Sequence, residues 1–178
     1  MAPSPIPVVL APYDDAWPEM AARHADILCS LRPNLMAVHH IGSTAVPGLA
    51  AKPTIDLMPV VKNLSKLDQQ NPQLTALGFD WHGELGMRGR RYCTLSDENG
   101  RRLAQLHFFE VGSPHIARHL AFRDYLRARW TVAEAYEREK RRARDLHPND
   151  SHAYGDEKSA WIQAKEAEAL AWFQMQEP

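Results

Sequence analysis

The stretch VHHIGSTAVPGLAAKPTIDLMPVV, residues 38–61, combines residue types that bind phosphate and metal ions. Gly42 and Ser43 follow one apolar run, and Asp56 lies inside a second. Backbone N–H groups and a hydroxyl in a tight turn suit phosphate oxygens, and a carboxylate can hold a divalent ion against those phosphates. Asp56 and Ser43 are therefore the candidate catalytic residues. Ser43 is expected to cradle an anion, since no nearby residue marks a general base for it as a nucleophile.

A structural interpretation of the same residues stays open. Gly42 and Ser43 form an ordinary tight loop in that interpretation, and backbone donors satisfy Asp56. The functional interpretation requires that the two apolar runs be neighbouring strands, so that the Gly-Ser turn and the carboxylate reach the same end of a sheet.

The spacing of apolar residues predicts the elements that position this stretch. Strands are expected over residues 36–41 and 54–61, the second apolar enough to be central in a sheet. Helical spacing covers residues 17–31, with Asp14 or Asp15 as a cap. A further helix over residues 64–79 is expected to be disturbed by Pro72.

The second half of the chain predicts a hairpin followed by helices. The hairpin covers residues 90–111 with its turn at Asn99 and Gly100. Two helices follow, the later one opened by a capping box of Thr131 with Glu134. Asp150 or Ser151 can cap a final helix. The fold class predicted is α+β, a mixed β-sheet flanked by helices with a helical C-terminal third.

Composition limits the partners. The chain has 178 residues, 44% hydrophobic and 24% charged, with a formal net charge of −1, so nothing drives it globally toward nucleic acid or a membrane. Cys29 and Cys93 are far apart and are expected to be free thiols of a reducing compartment. No apolar run is long enough to span a bilayer, and no signal peptide is evident. We expect a cytoplasmic protein.

Three stretches resemble the GrpB family. They are HHIGSTAVPGLAAKPTIDLMPVV, HLAFRDYLRARWTVAEAYEREKRRA and AYGDEK, and the likeness covers almost the whole chain. The resemblance implies a bacterial protein with a single GrpB-like domain over residues 1–178. It also implies the nucleotidyltransferase superfamily, whose DNA polymerase β-like fold places a Gly-Ser turn before a strand that carries carboxylates.

The resemblance includes a departure that affects catalysis. Active nucleotidyltransferases carry two acidic residues on that strand and a third on a later strand, and these hold two magnesium ions. Here the first position is Asp56 and the second is Met58. With the acidic motif incomplete, the resemblance leaves enzymatic activity undecided.

Histidines could compensate for the missing acid. The family pattern of acid, histidine, aspartate and paired histidines suggests a transition metal as readily as magnesium, because imidazole suits zinc, nickel or iron. The candidate metal ligands in this chain are His40, Asp56 and His107. The alternative is that both histidines are hydrogen-bonded structural residues.

Basic residues complete the predicted anion site. Lys52 and Arg123 match strongly patterned family positions and are favoured, while Lys140 and Lys158 lie on successive helices, the latter near Tyr154. These side chains, together with Gly42 and Ser43, are the predicted phosphate-binding set. The alternative for Arg123 is a surface pair with Asp124.

Three functions follow as expectations. The first is a nucleotidyltransferase-like protein that binds a nucleotide or another phosphorylated small molecule with a divalent metal, magnesium before a transition metal, and transfers a nucleotidyl group to a small acceptor. The second is a binding or accessory module of the same fold without catalysis. The third is an enzyme of small-molecule metabolism that uses a transition metal held by histidines and Asp56. Neither nucleic acid nor a membrane is expected as a partner, and a homodimer stays open.

Overall fold

The structure, a computed structural model, describes residues 6–176, so the ends of the predicted 1–178 domain lie outside the described residues. It has an α+β fold with a mixed sheet. The helices are α1 (Trp17–Ile27), α2 (Leu64–Gln69), α3 (Asn71–Ala76), α4 (Pro114–Ala128), α5 (Trp130–Leu146) and α6 (Ser151–Gln174). The strands are β1 (Leu35–Ile41), β2 (Ile55–Val61), β3 (Asp80–Trp81), β4 (Arg90–Ser96) and β5 (Arg102–Glu110).

The five strands form one sheet in the order β1-β2-β5-β4-β3. β1 pairs with β2 antiparallel, β2 pairs with β5 parallel, and β4 pairs antiparallel with both β5 and β3. The predicted strands that bracket the Gly-Ser turn are therefore sheet neighbours, as the functional interpretation requires. Asp56 lies directly opposite Ile41, the last residue of β1.

One face of the sheet carries the main core. Side chains alternate between faces along a strand, and alternate residues of β2 and β5 pack against α1 and the segment around α3. This core cluster contains Trp17, Leu28, Leu31, Ile55, Leu57, Leu74, Phe79, Leu106 and Phe108. Because Ile55 and Leu57, on either side of Asp56, point into this core, Asp56 points to the opposite face.

The opposite face is covered by the C-terminal third. Ile41, Met58 and Phe109 pack against Ile116 and Leu120 of α4. A separate cluster joins the loop after β1 to α4, α5 and α6, through Val46, Leu49, Leu126, Ala133, Tyr136 and Trp161. α5 and α6 therefore lie across from the sheet end that holds the Gly-Ser turn.

The predicted helix caps were confirmed in part. Asp150 caps α6, since its Oδ1 accepts from the N–H groups of His152 and Ala153, each at 3.0 Å. The capping box of Thr131 with Glu134 was wrong, because α5 begins one residue earlier, at Trp130, and no side chain caps it. Asp14 accepts from the N–H of Ala16 at 2.9 Å, ahead of α1 rather than within its first turn.

Cys29 is exposed and Cys93 is buried, and neither is in a disulfide in the described part of the chain. Among residues 6–176, no helix is both long enough and apolar enough to cross a membrane.

Candidate functional site

The Gly-Ser turn lies against Asp56 because glycine is the first residue after β1. Gly42 has φ +74°, a conformation that side chains other than glycine rarely adopt. A Cβ built on Gly42 would lie 2.8 Å from Asp56 Oδ2, too close for two unbonded atoms. The missing side chain therefore lets the backbone of the turn approach the carboxylate directly.

Ser43 is held by a lysine from α5. Lys140 Nζ donates to Ser43 Oγ at 3.2 Å and also to the carbonyl oxygen of Ala50. Glu137, one turn earlier on α5, accepts from the N–H of Ala50 at 3.0 Å. The loop between β1 and β2 is thus tied to α5 through both backbone groups of Ala50, and this fixes where Ser43 points.

Two more lysines converge on the same space. Lys52 Nζ, from the loop before β2, donates to Ser151 Oγ at 2.7 Å, at the first residue of α6. Lys158 Nζ, two turns along α6, lies 4.4 Å from the centroid of the Tyr154 ring. Lys52, Lys140 and Lys158, which come from three different parts of the chain, are called the lysine cluster below.

The turn, the carboxylate and the lysine cluster line one cavity of about 640 Å³. Five basic residues contribute to its wall, and in the described part of the chain Asp56 is the one carboxylate there. The lining includes Gly42, Ser43, Lys52, Thr54, Asp56, Arg90, Tyr92, Arg102, Gln105, His107, Tyr136, Lys140, Ser151, Tyr154 and Lys158. This excess of positive charge favours an anionic ligand.

Burial makes the cluster costly in the absence of an anion. Lys140 is 1% exposed, and burial, helped by the nearby charge of Lys158, lowers its pKa to about 7. Burial also lowers the pKa of Lys52, again with Lys158 contributing. The hydrogen-bond acceptors of both lysines are uncharged oxygens of Ser43, Ala50 and Ser151, which do not neutralise them.

A second buried polar group faces this space. The hydroxyl of Tyr154, a residue 2% exposed, is buried and has no hydrogen-bond partner among residues 6–176. A buried hydroxyl without a partner loses the free energy of its hydration. A ligand oxygen in the cavity would satisfy it.

The site fits one magnesium ion shared with ligand phosphates and does not fit two ions held by three carboxylates. Asp56 Oδ1 lies 3.3 Å from His107 Nε2. Met58, at the second acidic position, is fully buried in the apolar cluster with Ile41 and Phe109. Among residues 6–176, no group of three His, Cys, Asp or Glu side chains is placed to hold a metal. Magnesium usually takes one or two carboxylates and completes its shell with phosphate and water.

The predicted metal trio of His40, Asp56 and His107 is not assembled. His40 lies opposite Leu57, on the sheet face away from Asp56, and its Nε2 is 2.8 Å from Thr44 Oγ1. Burial lowers its pKa to about 4, so it is a neutral, hydrogen-bonded residue. The prediction was wrong for His40 because residues next to each other on a strand face opposite ways, and the register puts Ile41 opposite Asp56.

Arg123 was also misplaced as a phosphate ligand. Its guanidinium donates to Asp124 at 2.8 and 3.1 Å and to the carbonyl oxygen of His40 at 3.1 Å. It is not part of the cavity wall. Arg123 therefore ties α4 to the end of β1, and the two lysines that the sequence ranked below it lie in the cavity instead.

The sequence missed Tyr92 and Arg102, which line the cavity from the hairpin. Tyr92 lies directly opposite His107 in the β4–β5 pairing. Burial, with the charge of Asp56 adding to it, raises the pKa of Tyr92 to about 12. The available signal was strand alternation, since the predicted hairpin register places Tyr92 on the same face as His107.

The sheet order and the turn define the class of fold. A structure of the Cid1 poly(U) polymerase with Mg 3′-dATP bound matches with a TM-score of 0.55 at 15% identity, over 83% of this chain and 49% of that one. This likeness shows the nucleotidyltransferase fold alone.

The sequence match to the GrpB protein family covers residues 7–168, and the chain belongs to that family. The crystal structure of the conserved protein GrpB from Enterococcus faecalis matches with a TM-score of 0.87 at 35% identity, over 93% of this chain and 99% of that one. The UPF0157 protein YqkA of Bacillus subtilis is 37% identical over 161 residues. This alignment covers 90% of the present chain and 46% of YqkA, so the chain spans about half the length of that relative.

Proposed function

We propose that this protein binds a nucleotide or another phosphorylated small molecule in the cavity between the sheet end and α5–α6, with one magnesium ion, and transfers a nucleotidyl group from it to a small acceptor. The observation that supports this is the convergence of the lysine cluster on the Gly-Ser turn, opposite a single carboxylate. The positive charge around this cavity exceeds that of the one carboxylate in its described wall, so an anion is needed to balance it.

Each part of the wall has a role in the proposal. The backbone of the Gly42–Ser43 turn and the hydroxyl of Ser43 face the phosphate oxygens, and Lys52 and Lys158 neutralise their charge. Lys140 positions the turn through Ser43 and Ala50. Tyr154, whose hydroxyl has no partner among residues 6–176, would donate to a phosphate oxygen. Asp56 would hold the magnesium ion, which when bound withdraws charge from the phosphates.

Titration calorimetry tests the proposal directly. ATP, GTP, CTP and UTP are each titrated into the protein with magnesium and again with a chelator. We expect binding of at least one nucleotide, tighter with magnesium and weakened by added salt, because the contacts are charged. If neither the four nucleotides nor pyrophosphate bind above background, the proposal is wrong.

A second candidate function, a binding module that has lost catalysis, rests on Met58. The methionine is 0% exposed and belongs to the apolar cluster under α4, so a carboxylate cannot replace it there without being buried among hydrophobic side chains. Tight nucleotide binding with no release of labelled pyrophosphate in the presence of any candidate acceptor would favour this candidate.

A further inference from the structure

We propose that Ser43 and Lys140 form a nucleophile–base pair, and that Ser43 Oγ accepts a nucleotidyl group from a phosphoric anhydride bound in the cavity. This inference rests on the proposed function for the identity of the electrophile. The pairing itself rests on geometry, because Lys140 Nζ lies 3.2 Å from Ser43 Oγ across 97 residues of sequence. Both side chains line the cavity, the serine from the turn after β1 and the lysine from α5.

The surroundings of Lys140 favour the neutral amine over the protonated form. It is 1% exposed, its Nζ lies 4.7 Å from the centroid of the Tyr136 ring, and one N–H is committed to the Ala50 carbonyl. A neutral amine has two N–H donors and one lone pair, so after donating to Ala50 it can accept the proton of the Ser43 hydroxyl. This is the arrangement in which a lysine serves as a general base.

The charged groups around Lys140 determine when it is neutral. Lys158 faces it from α6 and disfavours its protonated form, as does Arg141 on its own helix. Glu137, one turn away on α5, opposes them but is committed to the N–H of Ala50 and to Arg141. Burial is the largest influence, and together these bring the pKa of Lys140 to about 7.

The proposed step balances within the site. Lys140 takes the hydroxyl proton of Ser43 as Oγ forms a bond to the α-phosphorus of the nucleotide. The bond from that phosphorus to the bridging oxygen breaks, and its electron pair leaves with pyrophosphate. The products are a phosphodiester on Ser43, protonated Lys140 and free pyrophosphate. Lys158 and Lys52 lie in the same cavity and can stabilise the negative charge that develops on the leaving group.

A fluorophosphonate probe tests the pair without a nucleotide. Such a probe phosphonylates activated serines, with the serine proton taken up by the base and fluoride as the leaving group. Intact-mass analysis and peptide mapping should place a single label on Ser43, and Ser43→Ala should abolish it. Lys140→Met should slow labelling by about 100-fold or more, the usual contribution of a general base.

A pH profile separates a base from a merely structural lysine. With a pKa of about 7 for Lys140, the neutral fraction and hence the labelling rate should rise about 10-fold between about pH 6 and about pH 8. The rate of Lys140→Met should lack this rise. Circular dichroism and a melting curve at each pH confirm that the variant is folded. If Lys140→Met does not fold, the pH profile of the wild-type protein is the test by itself. A labelling rate that does not change with pH contradicts the proposal.

Matched controls lie outside the cavity wall. Lys165→Met removes an α6 lysine that pairs with Glu168, and Ser159→Ala removes an α6 serine that accepts from Gln163. Both should label at the wild-type rate. A label on Ser151, which pairs with Lys52, instead of Ser43 would overturn the assignment, as would equal rates in wild type and Lys140→Met.

The nucleotide step has its own readout. Wild-type protein is incubated with each of the four nucleoside triphosphates and magnesium, and its intact mass is measured for an added nucleotidyl group on Ser43. Nucleotide that binds in calorimetry but forms no adduct contradicts transfer to Ser43 and leaves the proposed binding function intact. If no nucleotide binds, the proposed function is contradicted instead. The fluorophosphonate experiment then still tests whether Ser43 and Lys140 form a nucleophile–base pair.

Discussion

At the scale of single residues, the site is defined by which cations lie in the cavity. Lys52 donates to Ser151 and faces the same space as Asp56 and the Gly-Ser turn. Arg123 carries a permanent charge, but its guanidinium is hydrogen-bonded to Asp124 and to a backbone carbonyl. Sequence patterning places both in one set, and only the fold separates them.

Lys52→Ala should weaken nucleotide affinity by about 1–3 kcal/mol, because a charge-assisted contact to phosphate is lost. The loss should shrink as salt is added, since salt already weakens that contact in the wild-type protein. Calorimetry at two ionic strengths measures both effects. An affinity equal to that of the wild-type protein would remove Lys52 from the site.

Asp56→Asn should act in opposite directions with and without magnesium. With magnesium, affinity should fall because the ion loses its carboxylate. With a chelator, affinity should rise, because the one negative charge in the described cavity wall no longer repels the phosphates. Each titration is the control for the other, because the two differ only in whether magnesium is available. A fall of equal size in both conditions would indicate that Asp56 has only a structural role.

At the scale of elements, the sequence was informative where local signals act alone. Apolar, β-branched runs indicated β1 and β2 to within one residue, and of the two predicted caps for α6, Asp150 or Ser151, the structure has Asp150. The register between β1 and β2 could not be predicted from local signals in this way. Whether His40 shares a face with Asp56 depends on which residue of β1 lies opposite Asp56, and a slip of one residue reverses the answer.

The sequence also could not show which residues that are distant along the chain come together in the cavity. Lys140 and Ser43 meet because α5 crosses the sheet end, a consequence of how Tyr136 and Ala133 pack against Val46 and Leu49. Helical periodicity predicts that a helix exists there but not which of its polar residues turns inward. Lys140 was therefore ranked below Lys52 and Arg123 in the predicted phosphate-binding set.

Gly42→Ala should destabilise the protein by about 1–3 kcal/mol, because alanine is strained at φ +74° and its Cβ would lie 2.8 Å from Asp56 Oδ2. Denaturant unfolding measures the loss. Gly86→Ala is the matched control, since Gly86 also has a positive φ but has no atom near its Cβ position. If the two variants lose equal stability, contact with Asp56 contributes nothing at residue 42.

Arg123→Gln should lower stability while leaving the cavity intact. The variant removes the tie from α4 to the carbonyl of His40 and leaves Asp124 with the longer contact to Arg127, at 3.5 Å, a loss of about 1–3 kcal/mol. Nucleotide affinity should stay within about twofold of the wild-type value, since Arg123 is outside the cavity wall. A loss of affinity comparable to that of Lys52→Ala would restore Arg123 to the binding set.

At the scale of the whole molecule, neutral histidines link stability to pH. His119 on α4 packs against Phe109 and His107, with ring centroids 5.7 and 5.8 Å away, and its Nε2 lies 3.0 Å from Arg118 Nη2. Burial, then the charge of Arg118, lowers its pKa to about 2. The native protein therefore keeps His119 neutral over a range where the unfolded chain would bind a proton.

The sign of the effect follows from this difference. Below the ordinary histidine pKa of about 6.5, the unfolded state binds a proton at His119 that the folded state does not, so stability falls as the pH falls. His40, with a pKa lowered to about 4, contributes in the same direction. His119→Gln should reduce the drop in melting temperature between about pH 7 and about pH 5. An undiminished drop would show that His119 is not a source of acid sensitivity.

The most direct measurement of the central claim is a crystal structure with a non-hydrolysable nucleoside triphosphate and magnesium. We expect phosphate oxygens at the Gly42–Ser43 turn and within hydrogen-bonding distance of Lys52 and Lys158, with magnesium between Asp56 and the phosphates. A nucleotide bound elsewhere on the protein, with the lysine cluster still bonded only to its own serines and carbonyl, would contradict it.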